Sequence, residues 1–261
     1  MINHSLNFIG SRNDDFLFAM NKTYFISDLH LDPSRPHLYK LFHEFIDKIK
    51  GDAEALYILG DLFEFWIGDD IIDLPIGKPY LPIIEQLRSL SDSGTKIYFI
   101  QGNRDFLIGQ KFMDRIGGVL LPDEIVIDLY GTPALIMHGD TLCTDDKGYQ
   151  LMRKIFRLWI VQKIYLSMSP EKRDKKASEI RSKTSKQTKQ KNYNILDVNQ
   201  QVVEKALVSR GVSLLIHGHT HRPAEHEFML DGMSEKRIVL GDWGEDVSWL
   251  EFTEISQELY Y

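Results

Sequence analysis

Five short apolar runs in this chain end in the same way, and this repeated ending restricts the fold more than any other feature of the sequence. Each run is closely followed by Asp, Asn or His, and glycine accompanies four of the five endings. The endings are Asp28 with His30, Gly60 with Asp61, Gly102 with Asn103, His138 with Gly139 and Asp140, and His217 with Gly218 and His219. Ligands bind at the carboxyl ends of strands in open α/β sheets. The five endings are therefore predicted to converge on one pocket.

The apolar runs have the length and residue types of β-strands, and helix-length segments separate the first of them. The strand candidates cover residues 24–27, 56–59, 96–100, 125–128, 134–137, 214–216 and 237–240. Helical candidates cover residues 37–50 and 80–92. This alternation predicts an α/β or α+β protein with a layered core.

The number of cysteines and the length of the apolar runs restrict the cellular compartment that is expected for this protein. The single cysteine, Cys143, excludes an intramolecular disulfide framework and a cysteine-rich metal site, which fits a reducing compartment such as the cytosol. No apolar run reaches the roughly 18 residues that a membrane-spanning helix needs, and the N-terminus lacks the apolar core of a signal peptide. Met20 is a second plausible start, so residues 1–19 are interpreted either as an upstream extension or as a poorly ordered arm.

The residue types at the five endings are those of a metal site. Residues two apart on a strand share a face, so Asp28 with His30, and His217 with His219, can each present two donors to one cation. Each ending alone is compatible with an ordinary turn or a surface histidine, but their joint occurrence favours a shared site for two metals. The remaining histidines are interpreted as structural or surface residues; they are His4, His37, His43, His221 and His226.

The ordered motifs resemble those of the calcineurin-like metallophosphoesterases. The longer blocks SDLHL, ALYILGDLFEFWIGDD, YFIQGNRDFLIG, LIMHGDTLCTDDKGYQ and LIHGHTHRPAEHE more narrowly resemble the UDP-2,3-diacylglucosamine hydrolases of lipid A biosynthesis. The resemblance implies a four-layer αββα sandwich with two mixed β-sheets. It assigns residues 20–147 and 211–261 to this core and residues 148–210 to an inserted helical lid. The segment Gly241-Asp-Trp-Gly244 departs from the GAWH usual in that family, which leaves its role open.

The resemblance also implies a ligand set and a reaction. One divalent metal, Mn²⁺ in the family, would be held by Asp28, His30, Asp61 and His219. The second would be held by Asp61, Asn103, His138 and His217. Two such metals lower the pKa of water and clamp the attacking and leaving oxygens of a displacement. The implied reaction is attack of water on the α-phosphorus of UDP-2,3-diacylglucosamine, which releases UMP and 2,3-diacylglucosamine 1-phosphate.

Arg104 occupies a position where many members of the wider superfamily have histidine. Arginine cannot serve as an acid near neutral pH, but its guanidinium binds two phosphate oxygens at once. A phosphate leaving group needs little protonation, so Arg104 favours a pyrophosphate substrate. The alternative interpretation is an ion pair with Asp105.

The segment from Lys147 to Lys191 is a basic island in an acidic protein. It contains fourteen Lys and Arg and three Asp and Glu, whereas the whole chain has a net charge of −7. Residues 151–168 place apolar side chains at helical spacing beside basic ones; the apolar ones are Met152, Ile155, Phe156, Trp159, Ile160 and Ile164. Such a helix packs on its own core or contacts a membrane. The resemblance implies a lid that holds acyl chains and faces the anionic inner membrane from the cytoplasm.

The last expectations concern the residues that bind the substrate and the other functions that the sequence allows. The resemblance implies substrate binding by Asn103, Arg104, Asp146, Thr184, Thr188, Lys191 and His217. From composition alone, residues 181–191 are a solvated linker. One rival function is a nuclease or cyclic-nucleotide phosphodiesterase that uses the basic insert for phosphate backbones, and another is an interaction module without metals. The resemblance favours a nucleotide-lipid substrate, with no nucleic acid and no obligate protein partner.

Overall fold

The structure is a computed structural model that describes residues 21–188 and 197–261. The predicted extension at residues 1–19 lies outside the described residues. The strands are β1 (Lys22–Ile26), β2 (Ala53–Ile58), β3 (Lys96–Phe99), β4 (Gly118–Leu120), β5 (Glu124–Leu129), β6 (Thr132–Met137), β7 (Leu214–His217), β8 (Ala224–Leu230), β9 (Met233–Val239), β10 (Trp249–Phe252) and β11 (Gln257–Tyr260). The α-helices are α1 (Pro36–Ile49), α2 (Leu81–Asp92), α3 (Gln110–Ile116), α4 (Lys147–Phe156), α5 (Trp159–Leu166), α6 (Pro170–Thr188) and α7 (Gln200–Arg210).

The strands form two mixed sheets. The first has the order β11-β10-β1-β2-β3-β4, in which β1 to β4 are parallel and β10 and β11 are antiparallel to their neighbours. The second has the order β5-β6-β7-β9-β8, in which β6, β7 and β9 are parallel. The parallel strands of each sheet direct their carboxyl ends toward the same edge.

Three apolar clusters define the layers. On the outer face of the first sheet, Phe42 of α1 and Leu87 of α2 are fully buried with Ile58 of β2. Between the sheets, Phe25 of β1 packs in one cluster with residues of β6, β7 and β9. On the outer face of the second sheet, Leu207 of α7 is buried with residues of β6 and β7. The predicted four-layer αββα sandwich is confirmed.

The basic insert contains α4, α5 and α6, and a buried arginine fixes it to the core. Arg173 of α6 is fully buried, and its Nη1 donates to the carbonyl oxygen of Ile67 at 2.6 Å and to Asp70 Oδ1 at 2.8 Å. Ala177, one turn later, is buried in the outer cluster of the first sheet. We call α4, α5 and α6 the lid. The division at residues 148–210 remains a prediction, and the packing of α7 on the second sheet groups that helix with the core.

Among the described residues, no helix is both long enough and apolar enough to cross a membrane.

Candidate metal centre and adjoining cavity

Backbone hydrogen bonds join the loops that follow the strands. The amide of Asp28 donates to the carbonyl oxygen of Gly60 at 3.1 Å, which ties the loop after β1 to the loop after β2. The amide of Gly218 donates to the carbonyl oxygen of His138 at 2.9 Å and ties the loop after β7 to the end of β6. The amide of His219 donates to Asp28 Oδ2 at 2.7 Å, and Asn103 Oδ1 after β3 lies 3.0 Å from His138 Nε2, so the five endings converge on one region as predicted.

The loops are held in an unusual backbone conformation. Within the described residues, seven non-glycine residues have positive φ, and five of these lie in the motifs after β1, β2 and β7. The five are Asp28, His30, Asp61, His219 and His221. Non-glycine residues rarely adopt this region, and such strain concentrates at functional sites. The positive φ values direct these side chains into one cluster.

Two glycines are required for the close approach of the loops. A Cβ atom on Gly102 would lie 2.1 Å from Asp61 Oδ1, and one on Gly218 would lie 2.3 Å from Asp28 Oδ2. Both distances are below any real contact, so a larger residue would push the carboxylates out of the cluster.

The first group of donors contains Asp28, His30 and His221. Each offers one ligand atom, and these atoms lie within 4.8 Å of one another. Asp28 Oδ2 accepts from the hydroxyl of Ser27 at 2.6 Å. Asp28 Oδ1 is buried without a hydrogen bond from the described part of the chain, although His221 Nε2 is 3.2 Å away. A buried carboxylate oxygen without a donor fits a cation ligand.

The second group contains Asp61, Asn103, His138 and His219. Asn103 Oδ1 lies 3.0 Å from His138 Nε2, and His219 Nδ1 lies 3.2 Å from the same nitrogen. Asp61 and His138 also form a group of ligand atoms within 4.8 Å together with Asp28, which links the two groups. His138 Nδ1 bonds the carbonyl oxygen of Leu59 at 2.8 Å, which leaves Nε2 directed at the cluster.

His217 is not brought to this cluster, which corrects the expectation from sequence. It is the last residue of β7 and is fully buried inside the sheet. Its Nδ1 is 2.8 Å from the carbonyl oxygen of Gly218, and its Nε2 is 3.2 Å from Arg237 Nη1. His221, which was interpreted as structural or surface, instead takes a place among the donors. Among the three alternating histidines, the structure thus places His219 and His221, and not His217, beside the other candidate donors.

The electrostatics of the cluster suit a divalent cation. Burial raises the pKa of Asp61 to about 7, and the nearby carboxylates of Asp105 and Asp28 act in the same direction. Burial lowers the pKa of His30 to about 3 and that of His219 to about 4. Burial also favours the neutral form of His138 and His221, but the surrounding carboxylates raise the pKa of both imidazoles, so a divalent cation would have to displace their protons.

Arg104 presents its side chain to the cluster while its backbone fixes Asp61. The Arg104 amide donates to Asp61 Oδ1 at 2.7 Å, and its guanidinium lies 5.5 Å from the centre of the Phe65 ring. The Asp105 carboxylate instead accepts from the amides of Leu62 and Gly102, both at 2.8 Å. This use of Asp105 disfavours the alternative in which Arg104 serves only as its ion-pair partner.

A cavity of about 920 Å³ joins the metal cluster to the lid. One part of its wall carries cluster residues such as Asp61, Asn103 and His221, together with Arg104. The rest of the wall is mainly apolar and includes Phe65, Trp66, Leu107, Met152, Phe156 and Val161. This combination suits a ligand with an anionic group at one end and an apolar body at the other.

Of the other predicted substrate contacts, only Asp146 has a described side chain. Asp146 lines the cavity and caps α4, where its side chain accepts from the amide of Tyr149 at 3.1 Å. The side chains of Thr184 and Thr188 and the whole of Lys191 lie outside the described residues. Tyr149 and Arg153 also line the cavity and both bond Asp140, at 2.7 and 2.6 Å. Tyr149 and Arg153 were not predicted as site residues, because a tyrosine and an arginine on a basic helix carry no distinguishing motif.

The fold and the donor cluster define a phosphoesterase of the calcineurin type. Residues 22–223 match the family model for calcineurin-like phosphoesterase. The chain belongs to this family, as its motifs predicted.

Curated relatives narrow the similarity. The chain is 48% identical over 223 residues to the UDP-2,3-diacylglucosamine hydrolase of Pseudomonas aeruginosa. This alignment covers 84% of this chain and 90% of the relative. It is 48% identical over 236 residues to the protein of that name from Actinobacillus succinogenes, which covers 90% of this chain and 97% of the relative. A solved archaeal phosphodiesterase aligns with a TM-score of 0.43 and 15% identity over 92% of this chain and 99% of its own. The two curated relatives carry the name of the narrower family that the longer motif blocks resemble.

Proposed function

We propose that this protein hydrolyses UDP-2,3-diacylglucosamine to UMP and 2,3-diacylglucosamine 1-phosphate in lipid A biosynthesis, with water attacking the α-phosphorus. The curated relatives bear the name of this activity and cover most of the chain. The observation that carries the proposal is that one cavity wall combines carboxylates and imidazoles with Arg104 and a long apolar surface. A nucleotide that carries two acyl chains matches this division of the wall.

The proposed metal centre holds two divalent ions, which are Mn²⁺ by resemblance to the family. Asp28, His30, Asp61 and His221 would hold one ion, and Asp61, Asn103, His138 and His219 would hold the other. Two observations support this arrangement: Asp28 Oδ1 is buried and unsatisfied, and the ligand atoms of Asp61 lie in one group with those of Asp28 and His138. The ions would supply positive charge to the phosphoryl oxygens and lower the pKa of the attacking water.

The remaining residues of the site bind and orient the substrate. Arg104, in the wall of the cavity, is proposed to bind the non-bridging pyrophosphate oxygens through two nitrogens. The hydrogen bond from the Arg104 amide to Asp61 keeps this guanidinium close to the Asp61 carboxylate. Apolar wall residues such as Trp66 and Phe156 are proposed to cover the acyl chains and to exclude bulk water. Asp146, Thr184, Thr188 and Lys191 are proposed to contact the headgroup because they correspond by position to family residues that do so, with Thr184 in place of Ser and Thr188 in place of Asn.

The proposal is tested with diacylated substrate and manganese in ¹⁸O-labelled water. We expect the label in UMP, as seen by its ³¹P NMR shift, since attack on the β-phosphorus would label the sugar phosphate instead. EDTA should abolish turnover and Mn²⁺ should restore it. Because the acyl chains contribute apolar burial at roughly 25 cal/mol per Å², UDP-N-acetylglucosamine should have a kcat/KM at least about 100-fold lower. Faster cleavage of a cyclic nucleotide or a DNA strand would contradict the proposal.

We also propose that the lid binds the anionic cytoplasmic face of the inner membrane as a peripheral contact. Leu151 of α4, Leu158 between the two helices, and Trp159 and Ile164 of α5 expose 51–69% of their surface. Lys163 Nζ lies 5.4 Å from the centre of the Trp159 ring, so positive charge borders the apolar surface. Apolar side chains beside lysines are typical of helices that lie in a lipid interface.

Membrane contact is measured by sedimentation with lipid vesicles. The double variant Trp159→Glu, Ile164→Glu should bind vesicles containing phosphatidylglycerol at least about tenfold more weakly than wild type, because it replaces apolar contact with charge repulsion. The matched control is Met229→Glu, Met233→Glu, which introduces the same charges at two exposed apolar residues of the β8–β9 hairpin. Equal loss of binding in both double variants would attribute it to net charge and contradict the assignment to the lid.

A further inference from the structure

Asp242 lies in the loop between β9 and β10, and its neighbours hold it at the edge of the metal cluster. The amide of Gly241 donates to Ser248 Oγ at 2.9 Å. The amide of Trp243 donates to the carbonyl oxygen of Asp28 at 3.1 Å, and the buried Trp243 ring donates to the carbonyl oxygen of Ser248 at 2.8 Å. The position of Asp242 is therefore set by bonds on both sides that do not use its own side chain.

The Asp242 carboxylate reaches the outer nitrogen of His221. Asp242 Oδ2 lies 3.3 Å from His221 Nδ1. The other ring nitrogen, Nε2, lies 3.2 Å from Asp28 Oδ1 and 3.3 Å from His30 Nε2. One nitrogen of this ring therefore faces the ligand cluster, and the opposite nitrogen faces an acceptor.

We propose that Asp242 is a positioning residue for metal binding, which fixes the tautomer and the ring orientation of His221. An acceptor at Nδ1 keeps the proton on that nitrogen and leaves the Nε2 lone pair directed at a cation. A carboxylate at Nδ1 also makes the imidazole a stronger metal ligand than a neutral hydrogen-bond acceptor would. The inference rests on the proposed metal centre.

The same geometry distinguishes Asp242 from the carboxylates that bind the cation directly. Nearly half of its side chain is exposed, whereas Asp28 and Asp61 are buried. His30 has a similar outer partner, since its Nδ1 lies 3.6 Å from Glu64 Oε2. Both histidines of the first donor group thus have a carboxylate on the side away from the cluster.

Manganese binding to the purified protein tests this role without reference to turnover. Free Mn²⁺ is followed by its EPR signal during titration of wild type, Asp242→Ala and Asp242→Asn. Loss of such an outer partner typically weakens a metal site by about 10- to 100-fold, so Asp242→Ala should weaken one of the two sites by that factor and leave the other unchanged. Asp242→Asn should recover part of the affinity, because its amide oxygen still accepts a hydrogen bond.

The control is Glu245→Ala, which removes an exposed carboxylate from the same loop and should leave both sites at wild-type affinity. Thermal unfolding of the metal-free proteins should give the same Tm for Asp242→Ala and wild type. If wild type binds two ions and Asp242→Ala binds both with unchanged affinity, the role of Asp242 is overturned while the metal centre stands. If wild type binds no manganese, the proposed centre and the role of Asp242 both fall.

Discussion

Asp61→Asn is expected to lower kcat by about 10³-fold, which corresponds to about 4 kcal/mol of activation free energy. Asp61 is the carboxylate through which the two proposed metal sites meet, because it belongs with His138 and Asp28 in one group of ligand atoms. Asparagine keeps an oxygen that accepts from the Arg104 amide, a bond of 2.7 Å in the wild-type chain. The substitution therefore removes the negative charge and largely preserves the loop.

Three measurements separate this chemical effect from unfolding. The variant should retain wild-type circular dichroism, lose a full equivalent of bound manganese and lose turnover on the diacylated substrate. Asp114→Asn is the matched control, since it neutralises an exposed aspartate on α3 outside the donor cluster. Wild-type kcat in folded Asp61→Asn, or an equal loss in Asp114→Asn, would show that Asp61 does not bridge the ions.

The sequence predicted the strands that carry the site because their apolar runs are buried on both faces. All seven strand candidates and the helices near 37–50 and 80–92 occur in the structure. Strands β4, β8, β10 and β11 were not predicted. Strand β8 is an edge strand whose exposed Glu225, His226 and Glu227 interrupt the apolar pattern. An edge strand needs only one hydrogen-bonded neighbour, so its residues carry little of the signal that burial imposes.

The break between α4 and α5 of the lid also could not be predicted from the spacing of apolar residues. Helical spacing runs through residues 151–168, but α4 ends at Phe156 and α5 begins at Trp159 after an extended Leu158. The break allows Met152 and Phe156 of α4 and Val161 of α5 to line the cavity, while Trp159 remains exposed. Neither proline nor glycine marks the break, so tertiary packing rather than local propensity determines it.

The histidine register is the part of the site that spacing alone could not determine. His217, His219 and His221 alternate, so the pattern allows a pair of ligands that begins at either His217 or His219. The strand continues through His217, and the chain then turns at Gly218. His219 and His221 follow with φ of 69° and 56°, and these backbone angles direct their rings to the cluster. Left-handed backbone at a histidine is a product of the folded loops and has no clear sequence signal.

The same substitution at two histidines distinguishes the two registers. His221→Gln should lower kcat by about 10³-fold and weaken manganese binding, because it removes a proposed ligand next to Asp28 and His30. His217→Gln should keep kcat within about tenfold of wild type for the folded protein. Its buried amide can still accept from Arg237, so we expect a loss of about 1–3 kcal/mol in the free energy of unfolding instead.

Both variants are compared by manganese titration, urea unfolding and turnover of the diacylated substrate. The structure-based register requires a loss of metal and activity in His221→Gln and a loss of stability in His217→Gln. The reverse result, an inactive and metal-poor His217→Gln beside an active His221→Gln, would restore the ligand set expected from sequence. It would also mean that the His217 ring must leave Arg237 and the Gly218 carbonyl to reach the cation. The two variants thus test the two alternative histidine pairs, and the results expected for the two pairs exclude each other.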